Sequence, residues 1–203
     1  KGRYYLQIQT KWSNAIKEER TFRFTNHRVL IDMIEITVNN VKEILRRKEK
    51  LEQKLNGKIT LKGKTLTLET DPFNEFEAQR VFDAMNLGFS AESALKVLDE
   101  EIAFVKINIK DFANTKNLEV VRSRLIGTHG KTKKTIEEIT KCEIRIHDNI
   151  VGIIGDGEVT ERALTAVTNI IRGTKQANAY RYLERINTQK KEKQNKNKKN
   201  FKF

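Results

Sequence analysis

Hydrophobic and polar positions alternate in two rhythms along this chain, and from residue 33 onward they do so twice in nearly the same order. Ile34-Glu35-Ile36-Thr37-Val38 has the period of a strand, and Val41, Ile44, Leu45, Leu51 and Leu55 then recur at helical intervals through one charged stretch ending near Gly57. Lys58-Ile59-Thr60-Leu61 and Thr65-Leu66-Thr67-Leu68 alternate again, and Lys62-Gly63-Lys64 between them predicts a hairpin. Asp71-Pro72 opens the next helix, with the aspartate as N-cap and the chain's single proline at the first helical position. That helix runs through Phe76, Val81, Phe82 and Met85 to Gly88.

The second copy starts with a strand at Phe104 to Ile109, followed by Val120, Val121, Leu125 and Ile126 at helical spacing. A Gly-x-x-Gly break, Gly127 to Gly130, separates that helix from a short one over Thr132 to Thr140, with Ile136 and Ile139 inward. Strands at Cys142–Ile146 and Ile150–Ile154 and a helix from Asp156 to Ile171 complete it. The helices Asp71 to Gly88 and Asp156 to Gly173 lie 85 positions apart with apolar faces in phase: Ala78 matches Ala163, Phe82 Val167 and Met85 Ile170. The first strands are only 71 apart, so the front copy lacks 14 residues, the Gly-x-x-Gly turn among them.

Between the copies, Ser90 can cap a helix whose stripe is Ala91, Ala94, Leu95 and Leu98, with Ser93 where a capping box would place an acid or amide. A connector this apolar is expected to pack on both neighbours. The predicted organisation is an N-terminal extension (1–32), a first α+β domain (33–88), a helical connector (89–102), a second domain (103–175), a C-terminal helix (176–188) and a basic tail (189–203). In the extension, Tyr4 to Ile8 and Thr21 to Phe24 read as strands, with Trp12 and Ile16 at helical spacing. The chain opens on Lys1, as a fragment or processed product would, with Met33 an alternative start.

Charge narrows the function. Among 203 residues, 40 Lys and Arg oppose 27 Asp and Glu, a net +13 that favours a polyanionic partner. Asn187 to Phe203 holds seven lysines and one glutamate, leaving the body at +7. This tail has little to bury and is expected to be a disordered electrostatic tether. No apolar run approaches the roughly 20 residues of a membrane span and no charged-then-apolar leader is seen, so the expected location is the cytoplasm. Cys142 stands alone and the three histidines are scattered, which leaves no zinc-type spacing; neither metal nor cofactor is expected.

The strongest candidate site is Leu125 to Lys134. Two glycines flanking Thr128 and His129 between helices let another backbone come close, since no Cβ intervenes. The second helix offers free N–H groups and its positive dipole end, and Lys131, Lys133 and Lys134 add mobile charge, so a phosphodiester fits there. The groove is expected to continue along the first helix, with Arg122, Arg124 and Ile126, and along the strand where Glu143, Arg145 and His147 alternate with Cys142, Ile144 and Ile146. The RNA-binding set is therefore Arg122, Arg124, Ile126, Gly127, Thr128, His129, Gly130, Lys131, Lys133, Lys134 and Arg145. The blander alternative is a helical corner with a solvated lysine face. Gly152 to Gly157 imitates a nucleotide loop but has the wrong spacing, and is expected to be a tight strand-to-helix turn capped by Asp156. Asp99, Glu100 and Glu101 are adjacent and would scatter round a helix, and His27 and His147 lack a nucleophile partner, so no catalytic set emerges.

Arg124 to Glu137, with its Gly-Thr-His-Gly loop, resembles the signature of a type I KH domain, whose loop clamps about four single-stranded nucleotides. Together with Leu87 to Leu95 and the closing Tyr180 to Arg185, it resembles the archaeal members of the partner-of-Nob family. The resemblance implies an α+β fold of two type I KH domains (βααββα), the first degenerate. It also implies a non-enzymatic RNA-binding factor of small-subunit ribosome assembly, contact with precursor rRNA near its 3′ end, and a PIN-domain endonuclease of the Nob family as partner. The front copy departs from archaeal relatives: Arg46-Arg47-Lys48-Glu49 runs on as helix in place of Gly-x-x-Gly, which suits a docking or orienting module, although Arg46, Arg47, Lys48 and Lys50 could still touch phosphates. Rival readings are a protein-docking scaffold for an RNA-processing nuclease and a general KH adaptor for RNA.

Overall fold

A computed structural model describes residues 32–200. The strands and helix expected between Tyr4 and Phe24 lie outside the described residues, as do positions 201–203 of the tail.

Two three-stranded antiparallel sheets follow one another. The first comprises β1 (Asp32–Thr37), β2 (Lys58–Lys62) and β3 (Thr65–Thr70) in the order β1-β3-β2, with helices α1 (Val41–Arg46), α2 (Lys48–Leu55) and α3 (Pro72–Asn86). A short helix α4 (Ala91–Leu95) and one 3-10 turn (Lys96–Leu98) lead to the second sheet: β4 (Ile102–Asn108), β5 (Glu143–His147) and β6 (Ile150–Asp156), in the order β4-β6-β5. Its helices are α5 (Leu118–Ile126), α6 (Lys131–Thr140) and α7 (Gly157–Ile171), followed by α8 (Gln176–Asn200). Both units thus have the order βααββα.

The repeat read from sequence is matched down to single hydrogen bonds. On the edge strand of each sheet a backbone N–H is taken up by a glutamate of the preceding helix: Ile59 donates to Glu52 Oε1 and Ile144 to Glu137 Oε1, both at 2.7 Å. Both of those helices end on a left-handed residue, Asn56 (φ 46) and Lys141 (φ 60). Each of these pairs is 85 apart, whereas Ile36 and Ile107, opposite Leu66 and Val151, are 71 apart. The inserted residues of the second copy form a 3-10 turn (Ile109–Asp111), a longer helix and the glycine loop.

Two expectations need correction. The front helix does not run through Arg46-Arg47-Lys48: Arg47 leaves helical geometry (φ −115, ψ 16), its N–H shared between the carbonyls of Glu43 and Ile44. On either side of the break Ile44 of α1 and Leu51 of α2 are buried in one core, while Leu45 is 56 % exposed. Phe76, read as part of the apolar face of α3, is likewise 59 % exposed, with Arg80 stacked over its ring at 5.9 Å. The second correction is at the C-terminus, where α8 continues to Asn200 past Thr188. Its Lys, Gln and Glu residues are straight-chain helix formers, and neither Gly nor Pro interrupts the segment.

What joins the two halves is the second sheet, which packs on its own helices with one face and on the first unit with the other. Val151 and Ile153 of β6 enter the core beneath α5, α6 and α7, whereas Ile154, with Ile102 and Phe104 of β4, joins the core of the first unit. Gly152 lies on that far face: a Cβ there would stand 2.8 Å from Leu87 and 2.9 Å from the Phe89 ring. Gly155, on the near face, leaves room for Cys142 Sγ. These glycines therefore belong to a strand squeezed from both sides, not to a turn; the expected cap is present, Asp156 accepting from the Glu158 N–H at 3.2 Å. Phe89 meets Phe104 edge-on at 6.2 Å.

The connector is held polar end to polar end. Ala91, Ala94 and Val97 join the first core, and Ser90 caps α4 by accepting from Ser93 N–H. Ser93 donates from Oγ to Glu143 Oε2 at 2.6 Å, beside Lys96 Nζ at 3.0 Å from Oε1. A serine that looked like a weakened cap is thus a cross-link between the halves. Partial burial pushes the Glu143 carboxyl up, but the hydrogen bonds from Ser93 and Lys96 and the charges of Lys96 and Arg145 outweigh it, so the group sits below its ordinary value. A depressed folded-state value contributes stability that is complete above the ordinary carboxylate value of about 4.3 and is lost as pH falls through the lower one. The thermal-stability difference between the natural chain and Glu143→Gln should therefore be constant from neutral pH to about 5 and shrink below about 4. A difference that grows on acidification would contradict this role.

Candidate nucleic-acid interface

The loop between α5 and α6 is a corner built from left-handed backbone. Gly127 (φ 74), His129 (φ 52) and Gly130 (φ 76) all have positive φ, and a 3-10 turn (Thr128–Gly130) connects them. The two glycines serve different purposes. A Cβ on Gly127 would lie 2.1 Å from Thr132 Oγ1 and 2.7 Å from its amide nitrogen, so that glycine lets α5 close onto the start of α6. At Gly130 a Cβ would meet nothing within 4 Å, and this glycine is the one that opens the backbone to a visitor.

Gly130 is also the N-cap of α6, where it offers no side chain to the first free N–H groups of the helix, and the first turn carries no acidic residue. The positive end of a ten-residue helix therefore faces outward together with exposed Thr128, His129, Lys131 and Lys134. Lys131 makes no ion pair among the described residues, whereas Lys133 pairs with Glu137 (3.2 Å) and Lys134 more loosely with Glu138 (3.9 Å). Ile126, the last residue of α5 and 40 % exposed, sets an apolar side chain beside the loop, where the flat face of a base can rest. Arg122 reaches from α5 to the β5–β6 turn, donating to the Asp148 carbonyl at 3.3 Å.

Two arginines of the expected set are turned to other work. Arg124 Nη1 donates to the Ile170 carbonyl at 3.5 Å, placing its cation at the C-terminal, negative end of α7. Arg145 lies on the sheet face that the first unit covers: its Nε donates to the Gly88 carbonyl at 3.1 Å, its Nη1 to the Ile144 carbonyl at 2.9 Å, and its guanidinium lies over Phe89 at 5.3 Å. Arg145 shares that face with Glu143, which is bonded to the connector, and Ile144 points into the second core. His147 is exposed beside Asp148.

A residue that sequence reading did not single out holds the corner in place. Gln176 Nε2, on the first residue of α8, donates to the Arg124 carbonyl (3.1 Å) and to Thr132 Oγ1 (3.2 Å), joining both helices of the loop. Asn187 donates to the Ile139 carbonyl, so α8 runs beside α6 in the same direction. Cys142 is buried under this layer; burial pushes its thiol up despite hydrogen bonds to Thr140 and Thr160, which makes it unreactive.

The two glycines should respond differently to a methyl group. Gly130→Ala pays only for left-handed backbone, about 1 kcal/mol, whereas Gly127→Ala adds a collision with Thr132 and should cost more than about 2 kcal/mol. Denaturant midpoints in the reverse order would refute this division of labour.

The family model of the second Pno1 KH domain, described as a eukaryotic-type KH domain (KH-domain type I), matches residues 103–188. The chain is 32 % identical over 149 residues to a KH domain-containing protein of Methanocaldococcus jannaschii, a match covering 72 % of this chain and 65 % of that protein. It is 32 % identical to the RNA-binding protein pno1 of Drosophila melanogaster, covering 66 % and 59 %, and 28 % identical to the pre-rRNA-processing protein PNO1 of Debaryomyces hansenii, covering 68 % and 58 %. The chain thus spans less than two thirds of each of these relatives. Two solved structures from Pyrococcus horikoshii share the fold. Dim2p has a TM-score of 0.67 with 28 % identity, covering 76 % of this chain and 99 % of that one. A chain of the a/eIF2alpha-aDim2p-rRNA complex has a TM-score of 0.69 with 26 % identity, covering 79 % and 96 %. Residues 103–188 thus match a type I KH domain of the Pno1 kind, and the chain, with two βααββα units of which the second carries an open Gly-x-x-Gly corner, is similar in sequence and fold to the Pno1/Dim2 proteins.

Proposed function

We propose that this chain is an RNA-binding ribosome assembly factor that holds single-stranded small-subunit precursor rRNA near its 3′ end and assists its processing, acting by binding and not by catalysis. The observation that carries this reading is the Gly127–Gly130 corner: backbone open at Gly130, helix N-terminus outward, a Lys131 with no ion pair among the described residues and an apolar flank at Ile126. Support comes from relatives named as pre-rRNA-processing proteins and from the rRNA in the complex of a neighbouring structure. Affinity would come largely from phosphates and fall with salt, and base selection from the flank of α5. No helix among the described residues is long and apolar enough to cross a membrane; the cytoplasm is the compartment proposed. Replacing Thr128 and His129 by aspartate sets two negative charges against the phosphodiester on an exposed turn. Binding of a single-stranded 3′-end rRNA oligonucleotide should fall at least tenfold with the thermal midpoint unchanged. Full binding by that variant would remove the loop from the mechanism.

The first unit suits a second role, docking a PIN-domain endonuclease of the Nob family. It has a one-residue kink where the second has the glycine corner, and there Arg47 and Lys50 face Glu92 of the connector at 3.4 and 3.6 Å. Exposed Leu45 and Phe76 give it apolar contacts that RNA clamping does not need. Association with the endonuclease should survive RNase treatment and weaken in Leu45→Asp/Phe76→Asp; loss on RNase treatment would mean an RNA bridge.

A further inference from the structure

The C-terminal helix is fastened to the helical layer by an amide at each end of one stripe. Gln176, Ala179, Leu183 and Asn187 recur at intervals of three or four and so share one side of α8. Ala179 and Leu183 are buried in the second core. Asn187 Nδ2 donates to the Ile139 carbonyl at 2.9 Å, near the C-terminal end of α6, and Gln176 Nε2 donates near its N-terminal end, to Thr132 Oγ1 at 3.2 Å. The two amides are chemically alike, but Gln176 has a second bond, to the Arg124 carbonyl at 3.1 Å.

Those two partners stand on opposite sides of the glycine corner. Arg124 lies in the last turn of α5, where a helix leaves carbonyls without partners of their own. Thr132, 4 % exposed, lies in the first turn of α6, with its hydroxyl where a Cβ on Gly127 would stand. A carbonyl only accepts, so the group facing Arg124 must donate. One neutral amide supplies both hydrogens, which a carboxylate cannot, and it adds no cation to the positive end of α6. The preceding turn delivers the glutamine: Gly173 (φ 107) ends α7 with its N–H on the Ile170 carbonyl (3.0 Å) and the Thr174 N–H on that of Asn169 (2.9 Å), the paired bonds of a glycine C-cap. We infer that Gln176 is a positioning residue for RNA: it holds the two sides of the corner at the separation that receives a phosphodiester and touches no nucleotide itself. This rests on the loop's role as the RNA clamp.

Asn187 supplies the control, since its loss loosens α8 at the far end, about 16 Å along the axis from Gln176. Binding of a single-stranded uridylate probe of about eight nucleotides to the full chain should weaken about fivefold in Gln176→Ala and stay natural in Asn187→Ala, although both variants lower the thermal midpoint. The salt slope should not change in Gln176→Ala, because no phosphate contact is lost, whereas Lys131→Gln should reduce it by about 0.7. Thr132→Val, which removes only the hydroxyl acceptor, should weaken the probe about twofold and add nothing in the Gln176→Ala background. Natural affinity in Gln176→Ala or in Thr132→Val overturns the inference. So do equal losses in the two amide variants, which would mean a general loosening of α8, and a smaller salt slope in Gln176→Ala, which would mean direct contact with phosphate. Undiminished binding by Thr128→Asp/His129→Asp instead overturns the loop reading, and this inference with it.

Discussion

A sheet that must be covered on both faces dictates the arrangement of the two units. Strand β6 offers Val151 and Ile153 to one side and Ile154 to the other, and Gly152 lets Leu87 and Phe89 approach where a side chain would hold them off. Exposed, the far face would put Phe104, Ile154 and part of Ile102 into water, at about 25 cal/mol per Å² of apolar surface. Packing it against the first unit also sets Glu143 and Arg145 beside Ser93, Lys96 and Gly88, so hydrophobic contact fixes the approach and the polar groups fix the register. The helical layer on the other side is left to carry the loop. The first sheet does not repeat this need: its outward positions include Glu35, Thr60, Thr65 and Thr67, and it contributes a single core.

Duplication explains why the halves share so much and why only one carries the corner. Glutamates 52 and 137 close the edge strands, Asn56 and Lys141 end their helices in the same left-handed state, and Gly88 and Gly173 end the last ones at positive φ. These features belong to the scaffold and are kept in both copies. The divergence lies between the first strand and the end of the glycine corner: the second copy adds a 3-10 turn and a longer helix, and at the junction of the two middle helices one copy has a single kinked arginine and the other a four-residue turn with three positive-φ positions.

Most of the scaffold was legible because alternation and helical spacing report burial directly, and the 85-residue offset made each copy a check on the other. The glycine corner was legible because two glycines at that spacing demand special backbone. Sequence periodicity failed where a residue's partner comes from elsewhere in the chain. Arg145 alternates correctly on its strand, yet alternation says only that it shares a face with Glu143, not that Phe89 covers that face. Ser93 looked like a deficient cap because its partner is 50 residues away. Arg47 sits among charges with good helix propensity, so nothing local marks the kink there. Gln176 carries no local signal at all, since a polar residue opening a helix is commonplace.

That glutamine bears on how the corner works. A loop that must order itself on binding spends part of its interaction energy on lost freedom, and a loop already held does not. Here Gly127 is closed onto Thr132, and Gln176 bridges the carbonyl of Arg124 to the hydroxyl of that same threonine, so the backbone of the turn is fixed from below by three elements. Arg124, anchored at the end of α7, adds a fourth. The side chains above it, Lys131 and Lys134, are exposed. A fixed backbone under exposed charge would suit a ligand whose phosphate spacing is constant and whose bases vary. The residues that fix the corner, Gly127, Thr132, Arg124 and Gln176, are buried or half-buried, and those around its open side are exposed.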